Sequence, residues 1–132
     1  MKTHRCWVLS LCAGAALSFA APALAFDDND FCVTAQQLAV AADKDVGVWV
    51  DRVTRQAGIT VSCDRKVVEF VRFTYTPTAA MNGAWKEQKA AEWNGTQCAS
   101  RLWTQAIRNA WTVALSLTAY DGGHVSLNAQ CE

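Results

Sequence analysis

VALSLTAYDGGHVSLNAQC, residues 113–131, is the stretch whose pattern decides the fold. Val113, Leu115, Leu117 and Ala119 alternate with small or polar residues, and after Asp121-Gly122-Gly123 the alternation resumes through Val125, Leu127, Ala129 and Cys131. Successive side chains of a strand point to opposite faces, and a glycine turn tolerates positive φ, so the pattern predicts a β-hairpin with one apolar face. Ser116, Thr118, Ser126, Asn128 and Gln130 fall on the other face, which is expected to meet solvent.

An apolar sheet face needs a cover, and the residues just upstream supply one. Ala99, Leu102, Trp103, Ala106, Ile107, Ala110 and Trp111 follow helical spacing, with Arg101, Gln105 and Arg108 opposite, in a helix expected to start at Thr96 or Gln97. Before it, Thr78 to Asn94 reads as a weakly amphipathic helix closed by Asn94-Gly95. Val67 to Thr76 reads as a strand stopped by Pro77, with Val67, Val71, Phe73 and Tyr75 as candidate inward residues. Asp64-Arg65-Lys66 would be a turn or bulge after the strand Ile59–Cys63.

Val46, Trp49, Val50 and Val53 have helical spacing, yet the segment 45–55 is rich in β-branched residues and contains Gly47. Branched side chains suit a pleated surface, so a strand is expected, turning at Gln56-Ala57-Gly58, with a helix as the alternative. Phe31 to Ala42 reads as a helix capped by Asp30, with Val33, Ala35, Leu38, Ala39 and Ala42 on one face. Together these elements predict an α+β fold: an antiparallel sheet of four to five strands with helices packed on one face.

The chain's beginning sets the compartment. Lys2 and Arg5 precede an apolar run from Trp7 to Ala21, then Pro22 and the small-residue site Ala23-Leu24-Ala25. The run is about 15 residues against the roughly 20 a spanning helix needs, so residues 1–25 are expected to be a signal peptide cut between Ala25 and Phe26. Of 132 residues, 107 then remain (26–132), enough for a single domain. Losing Lys2 and Arg5 leaves 10 basic against 12 acidic residues, a net charge of −2, which argues against nucleic acid as partner. No second long apolar segment follows, so stable membrane insertion is not expected. The protein is expected in the periplasm or outside the cell.

Cys32, Cys63, Cys98 and Cys131 survive cleavage at spacings of 31, 35 and 33 residues. Metal sites bring cysteines in close pairs, whereas four well-spaced cysteines in a short exported chain read as two disulfides, with no metal and no cofactor implied. Three pairings are open. Cys32–Cys63 with Cys98–Cys131 is favoured, because each bridge then ties the start of a helix to the hairpin that follows it.

Val50-Asp51-x-x-Thr54, the alternation from Val67-x-Glu69-Phe70 to Tyr75, Cys98 opening a helix, Trp111 to Tyr120, Asp121-Gly122-Gly123 and terminal Cys131 form a recognisable series. It resembles small exported bacterial domains of unknown function with a helix, hairpin, helix, hairpin layout and paired cysteines. The resemblance covers Val46 to Cys131. It implies the same layout and supports the last disulfide, and it implies no activity.

Catalytic chemistry is poorly provided for. His124, the one histidine left after cleavage, sits beside a tight turn, and Asp121 is expected to serve that turn. Asp51 and Glu69 could form a carboxylate pair from neighbouring strands, but Arg52, Arg55, Lys66 and Arg72 offer them partners on a wet face. Five tryptophans remain: Trp103 and Trp111 lie on the core stripe, whereas Trp85 and Trp93 stand among charges, a candidate exposed aromatic ledge. The expectation is a non-enzymatic exported interaction module of the inhibitor, immunity or assembly-accessory type. It would bind a protein partner through Trp85 and Trp93 or through the basic residues Arg52, Arg55 and Arg72. A small-ligand or glycan-binding domain is the alternative, and a small hydrolase the third reading.

Overall fold

The computed structural model describes residues 25–132, so the leader and the reading of it as a signal peptide lie outside the described residues. Helix α1, Asp28–Ala42, is capped by Asp27, whose carboxylate accepts from the Asp30 N–H at 2.9 Å, one turn earlier than the expected Asp30 cap. Asp28 and Asp30 in the first turn complement the positive end of the helix. The helix buries Phe31, Cys32 and Ala35, whereas Val33 and Leu38, expected inside, are exposed.

Of residues 45–55, expected to form a strand, only Thr54 and Arg55 do so. After a short 3-10 turn, Asp43–Asp45, the chain runs back along itself: the Gly47 N–H donates to the Gln56 carbonyl, the Gln56 N–H to Val48, and the Val50 N–H to Thr54. The reversal falls at Asp51–Val53, where the Asp51 carboxylate accepts from the Val53 N–H at 2.8 Å. Strand β1 is Thr54–Ser62, and Gln56-Ala57-Gly58 is a bulge inside it rather than a turn, with Gly58 at φ 153°.

Strand β2, Val67–Thr74, pairs antiparallel with β1 after a turn in which Lys66 takes φ 53°. Its inward residues are Val68, Phe70, Arg72 and Thr74, while Phe73 and Tyr75 are exposed. The expected set, Val67, Val71, Phe73 and Tyr75, is out of phase by one residue, which exchanges the two faces. A strand with apolar residues on both faces supports either phase, and the packing of α1 against Val68 selects this one.

Asn82 caps α2, Gly83–Cys98, accepting from the Trp85 N–H at 3.0 Å. The helix runs through Asn94-Gly95, expected to end it, and Cys98 closes this helix instead of opening the next. Asn94 serves another end, since its side chain accepts from the Gln130 N–H at 2.9 Å and holds the C-terminal segment. Helix α3 is Arg101–Arg108, and Ala110 in the left-handed region (φ 66°) turns the chain out so that Trp111 lies beyond the helix.

Strands β3, Thr112–Ala119, and β4, His124–Asn128, form the predicted antiparallel hairpin. The sheet order is β1-β2-β3-β4, and β2 and β3 are parallel, so the sheet is mixed rather than wholly antiparallel. Helices α2 and α3 form the crossover that a parallel pair requires. Between sheet and helices runs a chain of edge-on rings: Trp111 to Phe31 (4.6 Å), Phe31 to Trp103 (5.9 Å), Trp103 to Phe70 (5.6 Å) and Phe70 to Trp93 (5.1 Å). Such contacts stabilise by about 0.5–1.5 kcal/mol each beyond the area they bury. Both favoured disulfides form, Cys32–Cys63 and Cys98–Cys131, with Cα atoms 5.8 and 5.4 Å apart. The fold is α+β.

Candidate functional site

The expected tryptophan ledge is not exposed. Trp93 is 3% accessible, and its indole N–H donates to the Val113 carbonyl at 3.2 Å. Trp85, one face of α2 away, is half-buried against the same core. A helix that is polar elsewhere covers the sheet with these two rings, which is why they stand among charges in the sequence.

Nor do the basic residues form one patch. Arg52 is exposed in the reversal at 51–53. Arg55 lies opposite Phe73 on the sheet face that carries no helix, whereas Arg72 lies opposite Gln56 on the helix side. Lys66 instead binds Asp28 at 2.8 Å.

What gathers on the helix-free face is aromatic. Trp49 (47% accessible), Phe73 (55%), Tyr75 (53%) and Tyr120 (67%) come from the loop before β1, from β2 and its end, and from the end of β3. Trp49 and Tyr75 are roughly parallel at 5.7 Å between centroids, and Tyr75 and Tyr120 at 6.4 Å. The Arg55 guanidinium lies 4.0 Å above the Trp49 ring. Its Nε is buried without a hydrogen-bond partner, a desolvated donor beside an apolar surface. Val46, Gly47, Arg55, Ala57, Phe73, Tyr75 and Tyr120 border a groove of about 450 Å³. Val48, Val50 and Val53, in the same loop as Trp49, are exposed as well.

Two backbone features place these side chains. The loop that carries Trp49 runs back along the start of β1, before the bulge at Gln56–Gly58, and sets Trp49 directly opposite Arg55. The Tyr75 N–H donates to the Val53 carbonyl and the Tyr120 N–H to Thr74, which fixes both tyrosines at the same end of the sheet. Sequence reasoning missed this cluster because it took Phe73 and Tyr75 as inward. The legible signal was Trp49 among valines in a segment whose helical spacing and β-branched composition disagree.

The remaining candidates stand apart. His124 contacts Thr118 at 3.2 Å, while Asp121 accepts from the Thr78 N–H and hydroxyl, so these two do not form a catalytic pair. Thr78 holds the Asp121 carboxyl below its ordinary value. Asp51 borders a cleft on the helix side, and Glu69 belongs to the opposite face of β2. Ser116, expected on the solvent face, is buried in the centre of the sheet, whereas Ser126, Asn128 and Gln130 are exposed. Among the described residues no cluster of His, Cys, Asp or Glu could hold a metal ion. No helix among them is long and apolar enough to cross a membrane.

No family model matches the chain, and no curated protein matches it in sequence. Solved structures do share its fold. One is a protein of Pseudomonas aeruginosa described as secreted, with TM-score 0.62 and 10% identity over 76% of this chain and 89% of that one. Another is EpsS, the pilotin of the Vibrio vulnificus type 2 secretion system, with TM-score 0.58 and 9% identity over 78% of this chain and 90% of that one. At such identities the likeness is one of fold alone.

Proposed function

We propose that cleavage after Ala25 releases an exported, non-enzymatic interaction module whose protein partner docks on the groove around Trp49, Phe73, Tyr75 and Tyr120. The observation that carries this reading is the exposure of four aromatic side chains in one place, with Arg55 laid on Trp49. Aromatic and arginine side chains are the commonest anchors of protein interfaces, and a contiguous exposed apolar patch of this kind marks an interaction surface. The rings lie against one another and under a guanidinium instead of presenting a flat platform, which favours a protein segment over a sugar ring. Two disulfides suit an oxidising compartment. Of the inhibitor, immunity and assembly-accessory types, a fold shared with a pilotin supports the last.

The test is capture from the native source with residues 26–132 as bait. A partner held by wild type is expected to be lost with Tyr75→Ser and with Phe73→Ser, both of which leave the core intact. Retention of that partner by both variants, with loss on substitution elsewhere on the surface, would overturn the proposed face.

A further inference from the structure

On the other side of the same two strands lies a second concavity of different chemistry. It is a cleft of about 320 Å³ between α2 and the sheet, floored by the buried Trp93, Leu115 and Leu117, with Arg72, Asp51, Lys89 and Glu92 as charged lining. Arg72 is the unusual member. Its Nε donates to the Gln56 side-chain oxygen at 3.0 Å, and its guanidinium lies 5.5 Å from the Trp93 ring centroid. Among the described residues its Nη groups have no hydrogen-bond acceptor and no carboxylate at ion-pair distance. Burial draws the guanidinium below its ordinary pKa and Asp51 opposes that, so a charged fork is held half out of water without a partner.

The rest of the lining narrows what could complete it. Lys89 binds Glu92 at 2.9 Å, and Gln88 holds the other Glu92 oxygen at 3.1 Å, so these two charges satisfy each other. Arg72 and Asp51 remain as an open pair of opposite sign; one Asp51 oxygen is taken by the Val53 N–H and the other has no recorded partner. A dianion such as phosphate would meet two carboxylates in a lining with no net charge. A molecule carrying both signs meets none of that repulsion. The cleft is at the small end of the roughly 300–1,000 Å³ range of ligand sites.

We propose that this cleft binds a free α-amino acid. Its carboxylate takes the Arg72 fork and its ammonium faces Asp51, above the floor that Trp93 and Leu115 close. Charge-assisted pairing of a planar guanidinium with a carboxylate is the strongest polar contact available to such a ligand. The inference is independent of the docking groove, because Arg55 and Arg72 face opposite sides of the sheet.

The test titrates disulfide-intact residues 26–132 with the proteinogenic amino acids, L-leucine as reference, reading the Trp93 indole N–H by NMR and the heat by calorimetry. Saturable shifts of that indole are expected, with affinity falling about tenfold or more for N-acetyl-leucine and for leucine amide. Arg72→Gln should abolish binding. Asp51→Asn should weaken leucine while leaving N-acetyl-leucine unchanged, and it keeps the proposal testable if Arg72→Gln fails to fold. The proposal is overturned by absence of binding by every amino acid, by N-acetyl-leucine or inorganic phosphate binding as tightly as leucine, or by unchanged leucine affinity in a folded Arg72→Gln.

Discussion

Asp28 begins α1 and joins three parts of the molecule: its carboxylate takes the Lys66 ammonium at 2.8 Å and the Trp111 indole N–H at 2.9 Å. Lys66 first and Trp111 second hold its carboxyl below the ordinary value, as Lys89 does for Glu92 and Thr78 for Asp121. A carboxyl whose folded pKa is depressed adds stability above its unfolded pKa and loses it as pH falls through the folded value. The urea midpoint should therefore be level from neutral pH to about 5 and fall below about 4. Asp28→Asn, which can still accept from Trp111, should lower the neutral plateau and flatten the acid fall; an unchanged profile would deny Asp28 this role. At this scale the sequence is least legible. Trp49 and Trp93 have similar standing as letters, one among valines and one among charges. Only the pairing of Trp49 with Arg55 on the uncovered face and the cover that α2 gives β3 separate an exposed ring from a buried one.

At the scale of elements, the C-terminal hairpin was legible in its pairing and turn because period and turn agree, although Ser116 is buried and the return strand stops at Asn128. The helices were legible in kind but not in extent. Asn94-Gly95 has the composition of a helix end, yet α2 continues because its face is held by Trp93 and its end is bridged by Cys98. Gly95 thus sits inside a helix, without positive φ, and a Cβ added there meets nothing within 4 Å. Gly95→Ala should stabilise the domain by about 0.5–1 kcal/mol, read as a raised melting midpoint with an unchanged urea slope. A lowered midpoint would mean that the helix frays at this point in solution. The phase error in β2 has a different origin. With valine or phenylalanine on both faces, alternation alone does not say which is covered, and the error carried Phe73 and Tyr75, the heart of the docking groove, to the wrong side.

For the whole molecule, cysteine spacing was the most informative feature and strand direction the least. Alternation looks the same in parallel and antiparallel pairs, so the parallel β2–β3 contact left no mark in the pattern. The two bridges close loops spanning 31 and 33 residues, and on the chain-entropy model each stabilises by about 3–4 kcal/mol. That is comparable with the full stability of a domain this size. Reduction confirmed by thiol titration should lower the thermal midpoint sharply or unfold residues 26–132, and an equal melt with four free thiols would refute the role given to the bridges.

Both bridges and the buried ring chain stand on the helix side of the sheet, whereas the rings on the other side are exposed. The exposed side chains on the bare side can therefore be exchanged with little consequence for folding. Such a layout separates scaffold from livery: one skeleton can meet quite different neighbours merely by being repainted, and chains built on it would drift far apart in letters while keeping the same shape.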